Sequence, residues 1–73
     1  MNAKTLFNQG VSAIRKKKNG EGRRLIKQSL KLYPQNDSGW VWLARTETDP
    51  ERKRRCLRQA LKLNADNLRA QAM

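Results

Sequence analysis

Histidine is absent from the 73 residues, cysteine occurs once, proline twice, and aromatic residues make up 5%. Without histidine, the usual general base and a frequent metal ligand are missing. A lone Cys56 forms no internal disulfide, and no Cys/His set exists for a structural zinc. No segment approaches the roughly 18 apolar residues that cross a bilayer. The start, Met1-Asn2-Ala3-Lys4, is not followed by the apolar stretch of a secretory signal. The expectation is a reducing, cytoplasmic setting, with no membrane span, no metal and no cofactor. Acids are scarce too: 6 Asp+Glu against 17 Lys+Arg, a net charge of +11. Leu, Ile, Val and Phe supply 14 of the 73 residues, at the edge of compositions that fold unaided. A chain this short hides only about 60% of its unfolded surface. It is expected to be one small domain, residues 1–73, that gains stability from a partner or a copy of itself.

What is present is helical periodicity and internal echo. Ser29-Leu30-Lys31-Leu32-Tyr33-Pro34-Gln35-Asn36 is echoed by Ala60-Leu61-Lys62-Leu63-Asn64-Ala65-Asp66-Asn67. A second echo pairs Leu6-Phe7 with Trp40-Val41 and Gly10 with Ala44. The two offsets differ by three residues, which implies a deletion in the second unit near Thr46–Pro50. Leu6, Gly10, Ala13 and Ile14, widened by Phe7 and Val11, predict an amphipathic helix from Lys4 to about Lys17. Asn19-Gly20-Glu21-Gly22 reads as a turn. Leu25, Ile26, Ser29 and Leu30 predict a second helix from about Gly22 to Leu32, stopped by Pro34. Asn36-Asp37-Ser38 offers caps for a third helix to Thr46, carrying Trp40, Leu43 and Ala44 inward. Asp49-Pro50-Glu51 is a strong start for a fourth, with Cys56, Leu57, Ala60 and Leu61 on its stripe and Asn64 as a candidate extension of it. Asp66-Asn67 opens a short fifth segment. No alternating strand pattern occurs, so the class is all-α.

The residues resemble a tetratricopeptide repeat. The first unit, Ala3 to Asn36, has that family's length of 34, with Leu6, Gly10, Gly22, Ile26, Ser29-Leu30 and Pro34 in matching order. Asp37 to Asn67 is a similar but shorter unit, carried by Trp40, Leu43-Ala44, Leu57 and Ala60-Leu61-Lys62-Leu63-Asn64. It departs from the pattern where Ala65 replaces the closing proline and where Lys53 takes the slot of the small Gly22. The resemblance implies two antiparallel helix-turn-helix repeats, about 3–36 and 37–67, stacked as a short α-solenoid. Residues 68–73 would form a short capping helix. Such repeats bury their faces on one another and usually number three or more. The resemblance also implies that ligand segments lie across the first helix of each unit. The matching outward residues are Lys4, Asn8, Val11, Arg15, Trp42 and Arg45. Trp42, two residues from Trp40, is either half-buried between units or an exposed contact.

No catalytic constellation emerges. Asp49 and Glu51 are explained by helix capping, and Glu47 adds little to them. Asn19-Gly20-Glu21-Gly22-Arg23 lacks the Lys-Ser/Thr of a phosphate loop. Cys56 reads as a buried thiol; the alternative is a thiol activated by Arg52, Lys53 and Arg55. The informative feature is basic clustering. Arg15, Lys16, Lys17 and Lys18 are joined by Arg23, Arg24, Lys27 and Lys31 across the turn. Arg54, Arg55, Arg58 and Lys62 form a second cluster with Arg52 and Lys53. Arg23-Lys27-Lys31 and Arg54-Arg58-Lys62 recur every four residues, so each set shares a helix face directed away from the apolar stripe. Such a surface suits a polyanion.

Three readings follow. The first is a non-enzymatic adaptor or accessory subunit that docks on an acidic protein within a larger assembly. The second is a nucleic-acid-binding accessory protein using the same clusters on phosphates. The third is a scaffold whose open repeat edges pair with a second copy.

Overall fold

A computed structural model describes residues 2–67. Its helices are α1 (Ala3–Arg15), α2 (Asn19–Leu32), α3 (Asp37–Thr46) and α4 (Pro50–Leu63). Among the described residues there are no strands, and the class is all-α. The expected capping helix at 68–73 lies outside the described residues.

Each helix begins where its chemistry directs. The Asn2 side chain accepts from the Thr5 N–H at 2.8 Å and caps α1. Asp49 accepts from the Glu51 N–H at 3.0 Å and caps α4, with Pro50 opening the first turn. The α2 start is a correction. Asn19 to Gly22 are the first turn of α2, and the reversal lies one step earlier, at Lys16–Lys18. Lys17 has φ 64°, the left-handed conformation. The Lys18 N–H donates to Ala13 O and the Lys17 N–H to Ile14 O, both at 2.9 Å. These two bonds form a Schellman motif that ends α1 at Arg15, with lysine where glycine is the usual occupant.

The first hairpin closes by contact of small residues. A β-carbon added at Gly22 would lie 2.9 Å from the Gly10 carbonyl oxygen and would collide with Ile14. One added at Gly10 would lie 2.7 Å from Ile26 Cδ1. Nothing larger fits between α1 and α2 there. At the other end of the hairpin, the buried Ser29 hydroxyl donates to Ala3 O at 2.8 Å. These contacts make α1 and α2 antiparallel.

The third helix docks on this hairpin through Gly39, where a β-carbon would come 2.8 Å from Leu30 Cδ2. Antiparallel packing of α4 on α3 follows from Asp37, whose Oδ2 accepts from Asn64 at 3.1 Å and Asn67 at 2.8 Å. Asn64 thus works as an exposed tie rather than as part of the α4 stripe. Lys53, in the slot matching Gly22, does not keep α4 from α3, because Cys56, Leu57 and Ala60 make that contact instead. The core runs through Ile26, Leu30, Val41, Trp42, Leu43, Ala44, Cys56, Leu57 and Ala60.

Within α3, Trp40 does not take its expected inward place, and Trp42, which the sequence leaves either half-buried or exposed, takes it instead. Trp42 is buried, with 6% of its surface exposed, whereas Trp40 only packs against the edge of the core. Its indole N–H donates to Pro34 O at 2.9 Å, which holds it beside the α2–α3 loop. Val41, Leu43 and Ala44 are buried with Trp42, so α3 is apolar around most of its circumference.

Two substitutions with opposite signs test this account. Lys17→Gly should raise stability by about 0.5–1 kcal/mol, because it relieves a side chain in a left-handed backbone. Gly22→Ala should lower it by about 1–3 kcal/mol, because the added methyl forces α1 and α2 apart. Urea unfolding of both variants checks the signs.

Candidate docking groove and basic surfaces

The outward face of α1 carries Asn8, Val11 and Arg15 at spacings of three and four residues, which places them on one stripe. Across from them α3 presents Trp42. Phe7, Asn8, Val11, Ser12, Arg15, Ser38 and Trp42 line a groove of about 490 Å³. The Arg45 guanidinium lies over the Trp42 ring, 4.8 Å from its centroid, and that of Arg15 lies at 5.8 Å. Each such contact is worth about 0.5–1 kcal/mol at an exposed site. It also positions a planar cation whose N–H donors fit carboxylates. The structure thus brings Asn8, Val11, Arg15, Trp42 and Arg45 together. Trp42 supplies the foundation of the site from within the core.

Lys4 falls elsewhere. It lines a separate cavity of about 650 Å³ with Asn2, Ala3, Phe7, Leu32, Tyr33 and Asn36. Leu32 and Tyr33 are the most exposed large apolar side chains there, at 59% and 54%. This cavity was not expected from the sequence. Its signal was Leu32-Tyr33 directly before Pro34, an apolar pair outside the α2 stripe.

The basic clusters divide in the fold. Lys16, Lys17 and Lys18 in the first turn, Arg24, Lys27 and Lys31 on α2, and Arg54, Arg55, Arg58 and Lys62 on α4 are all exposed. Arg23 departs from the expected solvent-facing stripe. It is half-buried and pairs with Glu47, a carboxylate with only 8% of its side chain exposed. The pair ties α2 to the end of α3. Glu47 is therefore an internal counter-ion and not a companion of the α4 cap. A second ion pair among the described residues, Arg52 with Asp49 at 3.9 Å, is exposed and contributes little.

Cys56 lies in the core beside this pair. Burial pushes its thiol up from the ordinary value of 9.0, and the Glu47 carboxylate adds to the effect. Arg23 and Lys27, both on α2, pull the other way and are outweighed. The Arg52, Lys53 and Arg55 neighbours do not activate it, because the α4 turn that buries Cys56 directs them elsewhere. The thiol is a small apolar filler.

No helix among the described residues is long and apolar enough to cross a membrane. Searches of family models, curated proteins and solved structures find no match to this chain.

The raised thiol value makes a prediction about pH. The folded state keeps the Cys56 proton to higher pH than the unfolded chain does. The associated stability is intact below 9.0 and falls as pH rises from there toward the higher folded value. Urea unfolding on both sides of 9.0 should therefore show the native chain losing more stability on the alkaline side than Cys56→Ala. Equal losses would mean that the thiol titrates alike in both states.

Proposed function

We propose that this chain is a non-enzymatic protein-interaction module of the tetratricopeptide type. In this reading it is a small cytoplasmic adaptor or accessory subunit that docks an acidic protein segment in the α1/α3 groove. The close meeting of Gly10 and Gly22 and the 34-residue first unit support the repeat assignment. The observation that carries the docking assignment is the pair of guanidiniums held over Trp42 beside an open groove. An acidic segment would set carboxylates on Arg15 and Arg45 and lay an apolar side chain along Val11 and Phe7. The net charge of +11 favours encounter with such a partner.

A nucleic-acid backbone is the second reading. It is favoured by the exposed stripe of Arg54, Arg58 and Lys62, joined by Arg55. It makes no use of the groove, and affinity would fall steeply with salt.

The two readings part in a pull-down of the tagged chain from its native cell at moderate salt, with and without nuclease. Proteins retained after nuclease, and lost from Arg15→Ala/Arg45→Ala, are the expected result. Retention that disappears with nuclease and depends on Arg54, Arg58 and Lys62 would replace docking with phosphate binding. Trp42→Ala does not serve here. It removes a buried tryptophan at a cost of about 3–5 kcal/mol, and thermal melting should show the chain largely unfolded.

A further inference from the structure

On the side of α3 away from the groove lies a second recess. Residues two apart on a helix point about 200° apart, so Trp40 faces opposite to Trp42. Trp40 and Leu43 of α3 form one wall of this slot, Leu30 of α2 and Pro34 of the loop form the other, and Lys27 and Lys31 stand on its rim. Its volume is about 340 Å³. Its apolar floor is held in place by packing and one hydrogen bond. Leu30 and Leu43 are core residues, and the Trp40 indole is held by its bond to Pro34 O. Lys27 and Lys31 are exposed and one helical turn apart, about 6 Å along the axis.

We propose that this slot is a second docking site, which takes an apolar side chain of an acidic peptide segment while carboxylates on either side of it meet Lys27 and Lys31. The apolar floor and the cationic rim together define that occupant. The floor presents carbon surface and an indole whose N–H is already engaged, so it offers no donor to read a nucleobase. A second copy of this chain is a poor occupant, because it has few acids to bring. Of its six, Glu47 pairs with Arg23, Asp49 caps α4 and Asp37 holds Asn64 and Asn67. The remaining charge of each copy repels the other. With both sites occupied, α3 would bridge two acidic segments, one on each side.

The test uses the full chain and an end-capped acidic peptide with one leucine between glutamates a helical turn apart. Chemical shifts separate the two indole N–H groups, and so separate this slot from the α1/α3 groove. Binding should move the Trp40 indole and the amides around Lys27 and Lys31. Lys27→Glu/Lys31→Glu, on an exposed face, should keep the fold by circular dichroism and weaken this binding at least about tenfold, a loss of roughly 1.4 kcal/mol. Lys27→Ala/Lys31→Ala should weaken it less. Replacing the peptide's leucine by serine should also cost about tenfold, since burial of that side chain is lost. Equal binding of the serine peptide would overturn the proposal in favour of bare charge attraction. Shifts confined to Trp42 and the residues around Arg15 and Arg45 would overturn it while leaving the groove reading intact. An oligouridylate that moves the Trp40 indole more strongly than the peptide does would assign the slot to nucleic acid instead.

Discussion

Most of the architecture depends on how near α1 and α2 come at Gly10 and Gly22. That approach is set by the absence of two β-carbons. Because the helices nearly touch there, Ile26 enters the core completely and Ser29 reaches Ala3 at the far end of the hairpin. The hairpin then offers Leu30 to Gly39, a third place where a missing side chain lets a helix seat. A chain with so few large apolar residues has little area to bury. It gains dispersion contacts by bringing backbones close instead. The same closeness leaves the outer stripe of α1 uncovered, and that stripe becomes one wall of the groove.

Charge imposes the second constraint. With few acids available, placing one of them in the interior is a notable use. Glu47 sits directly after α3, which has 10 residues where α1 has 13, and Arg23 reaches it from α2. With Glu47 largely covered and Arg23 part-exposed, the pair gives little net stability, but losing Arg23 would leave a costly carboxylate behind. Its effect is to fix where α2 lies along α3. That placement in turn sets Lys27 and Lys31 over the Trp40 slot.

The helical class and the start of α4 were legible because each has a local signature, whereas Gly10 and Gly22 were singled out only through the repeat resemblance and Gly39 was not. Asp49-Pro50-Glu51 carries its cap and its first turn in adjacent residues. The misreadings have physical causes as well. Asn19-Gly20 is a common turn dipeptide, but the left-handed residue that reverses the chain is Lys17, which has no such signature. Trp40 was placed inward and Trp42 left open because a helix that is apolar on most sides gives periodicity nothing to discriminate. Only tertiary placement decides which indole goes in. Arg23 looked like its neighbours Lys27 and Lys31 on the same face. What separates it is a carboxylate 24 residues away, beyond the reach of any local pattern. Arg15, Trp42 and Arg45 were grouped only through the repeat resemblance, which sets the outward residues of the first helices side by side, whereas Lys4 strayed because Phe7 divides its cavity from the groove.

In the proposed docking, the position of Trp42 links folding to recognition. One face of its indole belongs to the core, and the ring also carries the two arginines that define the groove. A surface tryptophan could hold those cations only by becoming ordered when a ligand arrives. A buried one holds them beforehand, so less side-chain entropy remains to be lost on docking. The arrangement has a consequence for variation. Residues on the rim, such as Arg45 and Asn8, are free to change with the partner, because α3 does not rely on them. The indole is not free to change. Specificity would thereby fall to rim residues of α1 and α3 and stability to the core, with Trp42 common to both.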